Sequence, residues 1–119
     1  MLATGPALKI TIHLNEDVGS HTDFLHKEIL NFLYEQGVSG ATVIRPHAGF
    51  GSHRHLHTAG AGGPEGEHLP VRIEFIESKQ KVERVLSDLC ELVTDGVIEA
   101  SETPILKVAN REGTQSPGS

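Results

Sequence analysis

Residues 69–97 read LPVRIEFIESKQKVERVLSDLCELVTDGV, a strand pattern followed at once by a helix pattern. The strand pattern is an alternation of apolar and charged residues up to Glu77, which is the period of a strand with one buried face. Ser78 has the side chain of a helix N-cap. Apolar residues then recur at the spacing of an amphipathic helix: Val82, Val85, Leu86, Leu89, Leu92 and Val93. Gly96 is expected to stop this helix, and a further strand to begin at Val97.

The first half of the chain repeats this order. Apolar residues alternate over Leu8–Leu14, a helix is predicted over His21–Gln36 with Gly37 as its stop, and a strand follows over Ala41–His47. Two βαβ units in series make βαββαβ, so we predict an α+β, ferredoxin-like fold with two helices on one face of an antiparallel sheet. The other face is predicted to be mixed and polar, with Lys9, Thr11, His13, Arg72 and Glu74. One uncovered face on so small a domain favours self-association as a cyclic trimer or dimer.

A chain of 119 residues is long enough for one domain and too short for two cores of normal size. We place this domain over residues 8–109, after an N-terminal extension of residues 1–7 and before a polar tail, residues 110–119, that we expect to be disordered. The last strand is predicted to be interrupted near Pro104. Cys90 is the single cysteine, which excludes an intrachain disulfide, and its place in the helix pattern predicts a buried small side chain.

Charge and hydropathy exclude two classes of protein. The net charge is −6, whereas general binding to DNA or RNA depends on positive charge. No apolar run is long enough to span a bilayer, and the N-terminus lacks the pattern of a secretory signal. We therefore expect a cytoplasmic protein that binds no nucleic acid and is not itself a membrane protein.

The most unusual segment lies between the two halves and reads AGFGSHRHLHTAGAGGPEGEH over residues 48–68. Long loops without secondary structure are uncommon in compact domains and are usually functional or disordered. Three histidines stand at alternate positions: His53, His55 and His57. On an extended chain they would lie on one side, which suits zinc or another divalent transition metal, with His47 or His68 as a fourth ligand. Plain polar loop composition produces the same pattern, so both interpretations stay open.

Four short motifs in this order resemble a known family: Gly40-Ala41-Thr42-Val43, Gly49-Phe50-Gly51, Arg54-His55-Leu56-His57 and Leu69-Pro70-Val71. In combination they are similar to small bacterial PII-like proteins catalogued as domain of unknown function 190, the UPF0166-type proteins. The resemblance covers about residues 8–108. It implies a PII-like fold and a homotrimer. It also implies kinship with nitrogen regulatory PII signalling proteins, which bind adenine nucleotides between subunits and present a long loop to membrane transporters or enzymes.

The resemblance therefore implies a non-catalytic regulatory protein whose loop becomes ordered on a small effector, an adenine nucleotide, and then contacts a partner protein. One PII feature is not matched: the phosphate-binding segment after the second helix corresponds to Thr94–Glu99, which has one glycine and no lysine. We therefore predict that cationic side chains and glycine amides at the loop base hold the ligand, namely Arg45, Gly49, Phe50, Gly51, Arg54 and His57.

Three further interpretations stay open. Phe50, between two glycines, either anchors the loop base in a neighbouring subunit or closes the local core. The histidines of the loop would make the protein a divalent-metal sensor instead. A small enzyme is the third alternative. No G-x-S-x-G motif is present, and the only sign of a catalytic serine is that Ser52 stands next to His53 in the sequence.

Overall fold

Strand β1 (Gly5–Leu14) lies inside a four-stranded antiparallel sheet in the computed structural model of this protein. The structure describes residues 2–15, 25–50, 57–58, 70–109 and 114–115. After β1 the described elements are α1 (Leu25–Glu35), β2 (Thr42–Ile44), β3 (Ala48–Gly49), β4 (His57–Thr58), β5 (Val71–Glu77), α2 (Lys79–Leu92), β6 (Gly96–Ile105), β7 (Val108–Ala109) and β8 (Thr114–Gln115).

The strand order of the main sheet is β2-β5-β1-β6, and every neighbouring pair is antiparallel. The strands of the two βαβ units therefore interleave, which is the ferredoxin-like arrangement and confirms the predicted fold class. Two short ladders, β3 with β4 and β7 with β8, lie outside this sheet.

The core fills the space between one face of this sheet and the two helices. In the β1–β5 register Ile10 lies opposite Phe75 and Ile12 opposite Ile73, so apolar side chains meet on the same face. The helices add Leu25, Ile29, Leu33, Val82 and Leu89 to this cluster. The opposite face is polar as predicted, with a salt bridge between Lys9 and Glu74 and a 2.9 Å contact between His13 Nε2 and Glu99 Oε1. In β1 and β5 the alternation of apolar residues therefore predicted correctly which side carries the apolar core, although Thr11 on the polar side is also buried.

The ends of the helices follow the predicted signals at two positions and depart from them at a third. Ser78 caps α2, since its hydroxyl accepts a hydrogen bond from the Lys81 amide. Gly37 ends α1 with a positive φ of 76°, a conformation that glycine adopts easily. The prediction that Gly96 stops α2 is wrong, because the helix ends at Leu92 and Gly96 is already the first residue of β6.

Pro104 does not interrupt the last strand, and that prediction is wrong. Strand β6 is paired with β1 continuously to Ile105, and Pro104 lies opposite Pro6. Because β6 is an edge strand, a proline there need not remove a hydrogen bond from the sheet. The same pairing makes β1 begin at Gly5, inside the predicted N-terminal extension of residues 1–7.

Three other features also differ from the prediction. Strand β2 ends at Ile44 rather than His47. Cys90 is exposed rather than buried, because it falls on the solvent side of α2. The predicted disordered tail lies mostly outside the described residues, but Thr114–Gln115 pairs with Val108–Ala109, a spacing typical of hairpins. The domain boundaries at 8 and 109 stay a prediction.

Replacing Ser78 with alanine should lower the free energy of unfolding by about 1 kcal/mol, because the Lys81 amide at the start of α2 would lose its acceptor at 3.2 Å. Urea denaturation measures this loss. Ser101→Ala is the matched control, since Ser101 is exposed on the edge strand β6, and it should change stability little. Equal losses in the two variants would contradict a capping role.

Candidate ligand site at the loop base

The segment rich in glycine and histidine leaves the sheet at the end of β2 and returns to it at the start of β5. Val71, the first residue of β5, lies opposite Leu14, the last residue of β1. Leu14 in turn lies opposite Gly96, the first residue of β6. The loop base, the end of β1 and the turn before β6 are therefore brought to one end of the sheet.

A cleft of about 300 Å³ opens at this end of the sheet, and it is lined by His13, Leu14, Ile44, Pro46, Pro70, Val71 and Arg72. The prolines stand just outside β2 and β5, where the missing N–H costs the sheet no hydrogen bond. The cleft thus combines an apolar wall with two basic side chains. Its volume is at the lower end for small-molecule sites.

The structure describes three of the six predicted ligand-binding residues fully. Arg45 is exposed, and its two neighbours, Ile44 and Pro46, line the cleft. Gly49 is partly buried, and a Cβ built on it would meet no atom within 4 Å. Phe50 is 52% exposed, so it does not close the local core, and its predicted place in a neighbouring subunit stays a prediction.

A short ladder draws the base of the loop together. Strands β3 and β4 pair Ala48 with Thr58 and Gly49 with His57. Two of the predicted ligand-binding positions, Gly49 and His57, are therefore direct backbone neighbours, which their distance in the sequence did not indicate. The other predicted residues of the loop, Gly51 and Arg54, lie outside the described residues, as do His53 and His55 of the metal hypothesis.

Two basic residues of the cleft, His13 and Arg72, were predicted only as members of the polar sheet face. They lie directly opposite each other in the β1–β5 register. His13 Nε2 is 2.9 Å from Glu99 Oε1, and Arg72 Nε is 3.3 Å from Glu74 Oε1. Alternation in the sequence placed both on one face, but only the register of the strands makes them neighbours at the loop base.

The turn between α2 and β6 is braced against β1. Asn15 donates from Nδ2 to Asp95 Oδ1 at 2.7 Å and from its backbone N–H to the Asp95 carbonyl at 3.1 Å. A Cβ on Gly96 would overlap the backbone carbonyl oxygen of His13. With a carboxylate in this position and no lysine in Thr94–Glu99, the turn offers poor chemistry for phosphate.

The metal hypothesis stays a prediction, because its central histidines lie outside the residues that the structure describes. Among the described residues, no three His, Cys, Asp or Glu side chains come together as a metal site would need.

In the same part of the chain, no helix has the length and apolar character to cross a membrane.

Comparison with known proteins gives one family, and curated relatives include two UPF0166 proteins. The family model DUF190, described as uncharacterized ACR, COG1993, matches residues 7–105. A UPF0166 protein of Methanocaldococcus jannaschii is 28% identical over 105 residues, which cover 82% of this chain and 90% of the relative. A UPF0166 protein of Aquifex aeolicus is 36% identical over 62 residues, which cover 52% of this chain and 64% of the relative.

Solved structures of PII-like proteins share the fold. CPII from Thiomonas intermedia K12, a nitrogen regulatory PII-like protein, was solved bound to ADP and bicarbonate. It superposes with a TM-score of 0.59 at 19% identity over 88% of this chain and 93% of CPII. A putative PII-like signaling protein from Thermus thermophilus has a TM-score of 0.53 at 18% identity over 86% of this chain and 90% of its own. At these identities the likeness shows a PII-like, ferredoxin-like fold.

Proposed function

The chain belongs to the DUF190 family, and we propose that it is a non-catalytic, PII-like regulatory protein whose long loop responds to a small effector and contacts a partner protein. Family membership over residues 7–105 and the fold shared with CPII support this proposal. Fold alone does not determine function, and the site at the loop base supports the proposal further.

The effector that we propose is an adenine nucleotide bound at the loop base. CPII binds ADP, and in two of its structures ADP and AMP together with bicarbonate. The observation in this chain that supports the proposal best is the cleft between Pro46 and Pro70, with its apolar wall and its basic mouth. An apolar wall suits a purine ring, and basic side chains suit a phosphate.

The β3–β4 ladder offers a route from the effector to the loop. Gly49 lies in this ladder, five residues after the last residue of β2, and its backbone is open to close approach. We propose that the effector contacts the cleft on one side and, on the other, Arg45 with the predicted loop residues Gly49, Phe50, Gly51, Arg54 and His57. The effector would then set the conformation that the loop presents to a partner.

The assembly that we propose is a homotrimer, with a membrane transporter or an enzyme as partner by analogy with PII proteins. The polar face of the sheet supports self-association, because β1, β5 and β6 carry partly exposed charged side chains there. Cyclic closure is the common way to satisfy such a face.

Titration with AMP, ADP and ATP by isothermal calorimetry tests the proposed effector, and at least one of them should bind. Gly49→Ala should weaken that binding about tenfold, or 1.4 kcal/mol, because a methyl group would occupy the space through which a ligand reaches the backbone. Its thermal stability should stay close to that of the wild type, since the added Cβ meets no atom within 4 Å.

Gly40→Ala is the matched control, because a Cβ at Gly40 also meets no atom within 4 Å and this position lies before β2, away from the β3–β4 ladder. It should bind nucleotide like the wild type. The absence of binding by all three nucleotides would contradict the proposed effector.

A further inference from the structure

We propose that His13 and Arg72 form the phosphate-binding pair of the loop-base cleft, an inference that rests on the proposed function. Both residues line the cleft. Both project from the polar face at the loop-base end of the sheet, and in the single chain their side chains are 43% and 46% exposed. They belong to the two inner strands, β1 and β5, which are each paired with a strand on both sides.

The register of the sheet gives this pair its spacing. His13 lies opposite Arg72, and opposite residues in antiparallel strands have Cβ atoms about 4.5–5.5 Å apart. Ile44 continues the same row on β2 and Val97 on β6. The row is therefore apolar, basic, basic and apolar across the four strands. Such spacing allows one phosphate to accept hydrogen bonds from the guanidinium and from the imidazole together.

Each member of the pair contacts a carboxylate in the structure. Glu99 Oε1 lies 2.9 Å from His13 Nε2, and Glu74 Oε1 lies 3.3 Å from Arg72 Nε. Glu99 is 62% exposed, so its contact with His13 contributes little net stability.

A phosphate bound by the pair would therefore displace the exposed carboxylate of Glu99 at small cost. If Arg72 turns towards the ligand, Glu74 keeps a cationic partner, because Lys9 Nζ lies 3.6 Å from its other oxygen. Phosphate carries more charge than a carboxylate and accepts a forked pair of bonds from arginine. The pair is therefore better suited to phosphate than to the two carboxylates that contact it in the structure.

The surroundings of the pair define the class of ligand. Ile44, Pro46 and Pro70 form the apolar wall beside Arg72, and this wall fits a flat ring. A volume of about 300 Å³ suits a nucleoside monophosphate better than a dinucleotide. The turn at Thr94–Glu99 lacks the groups for phosphate, so phosphate binding would have moved from that turn to the face of the sheet.

Calorimetric titration with AMP tests this inference in the full chain and in two variants, His13→Gln and Arg72→Gln. Each variant should bind AMP about tenfold more weakly than the wild type, since each loses a hydrogen bond to a charged group. Arg84→Gln is the control, because it removes the same charge from an exposed position on α2. It should bind AMP like the wild type. Thermal unfolding of all variants shows whether the fold is retained.

Adenosine and inorganic phosphate complete the experiment. Adenosine lacks the phosphate, so its affinity should be weak and equal in all four proteins, and adenosine binding as tight as that of AMP would overturn the inference. Inorganic phosphate that binds the wild type and is lost in Arg72→Gln would support the pair and identify free phosphate as a ligand in its own right. Wild-type binding of AMP that both variants retain would overturn the inference and leave the proposed function standing. A wild type that binds no nucleotide would overturn both.

Discussion

Gly96→Ala should lower the free energy of unfolding by about 3 kcal/mol. The added Cβ would overlap the backbone carbonyl oxygen of His13 and would lie 3.1 Å from the Leu14 Cα. Because these are backbone atoms of an inner strand, no side-chain rotation relieves the overlap, and β1 and β6 must move apart where Gly96 pairs with Leu14. Urea denaturation followed by far-UV circular dichroism measures the loss, at one protein concentration so that any self-association is held constant.

The control is Gly40→Ala, because a Cβ at Gly40 meets no atom within 4 Å. An alanine there restricts the unfolded chain and should leave stability unchanged or raise it slightly. If Gly96→Ala unfolds at the same urea concentration as Gly40→Ala, then β1 and β6 do not approach each other as closely as the structure has them.

Gly96 also shows where sequence patterns are sufficient and where they are not. A glycine after a helical pattern is commonly a helix stop, and the same glycine is equally suited to a close approach of two strands. Only the pairing of β6 with β1 distinguishes the two. Gly37 has the same position after its helix, and there the positive φ confirms the prediction of a stop.

Most of the fold could be predicted because burial follows local periodicity. The alternation over residues 8–14 and 71–75 placed Ile10, Ile12 and Ile73 on the buried face, where the structure has them. Periodicity says nothing about which residue lies opposite which, since register depends on contacts between distant parts of the chain. Pairings such as Pro6 with Pro104 were therefore beyond prediction.

The candidate site was predicted less completely for the same reason. The composition of residues 48–68 indicated where a ligand would act, and Gly49 lies at the base of that segment. His13 and Arg72 are far apart in the sequence and join the cleft only through the β1–β5 register. The alternation in the sequence placed both on the polar face of the sheet, but a place on that face does not distinguish a binding pair from ordinary solvated side chains.

One charged residue carried a sequence signal that was missed. Glu77 alternates onto the same face of β5 as Val71, Ile73 and Phe75, so the sequence pattern placed a carboxylate on the buried face. In the structure Glu77 is 3% exposed. A buried carboxylate needs hydrogen-bond donors, and a charged residue on an apolar face is therefore a sign of a built polar contact.

Glu77→Ala should lower the free energy of unfolding by about 3 kcal/mol, the other large effect that we expect. Its carboxylate accepts from the Ser39 N–H at 2.7 Å and from the Ser78 N–H at 3.3 Å, and so joins the end of β5 to the segment before β2 and to the start of α2. Alanine would leave the Ser39 N–H without this acceptor beside a cavity. Urea denaturation measures the loss against Glu102→Ala, which removes an exposed carboxylate from β6 and should cost little.

Glu77→Gln separates the hydrogen bonds from the volume of the side chain. The amide nearly conserves that volume and keeps one oxygen to accept from Ser39, but it directs an NH₂ group at the second donor. The free energy of unfolding should therefore fall less in Glu77→Gln than in Glu77→Ala, and more than in Glu102→Ala. Because Ser39 precedes β2, and β2 leads to the loop base, the alanine variant should also weaken whatever nucleotide binding the wild type has. A Glu77→Ala protein as stable as Glu102→Ala would mean that the carboxylate does not hold these three segments together.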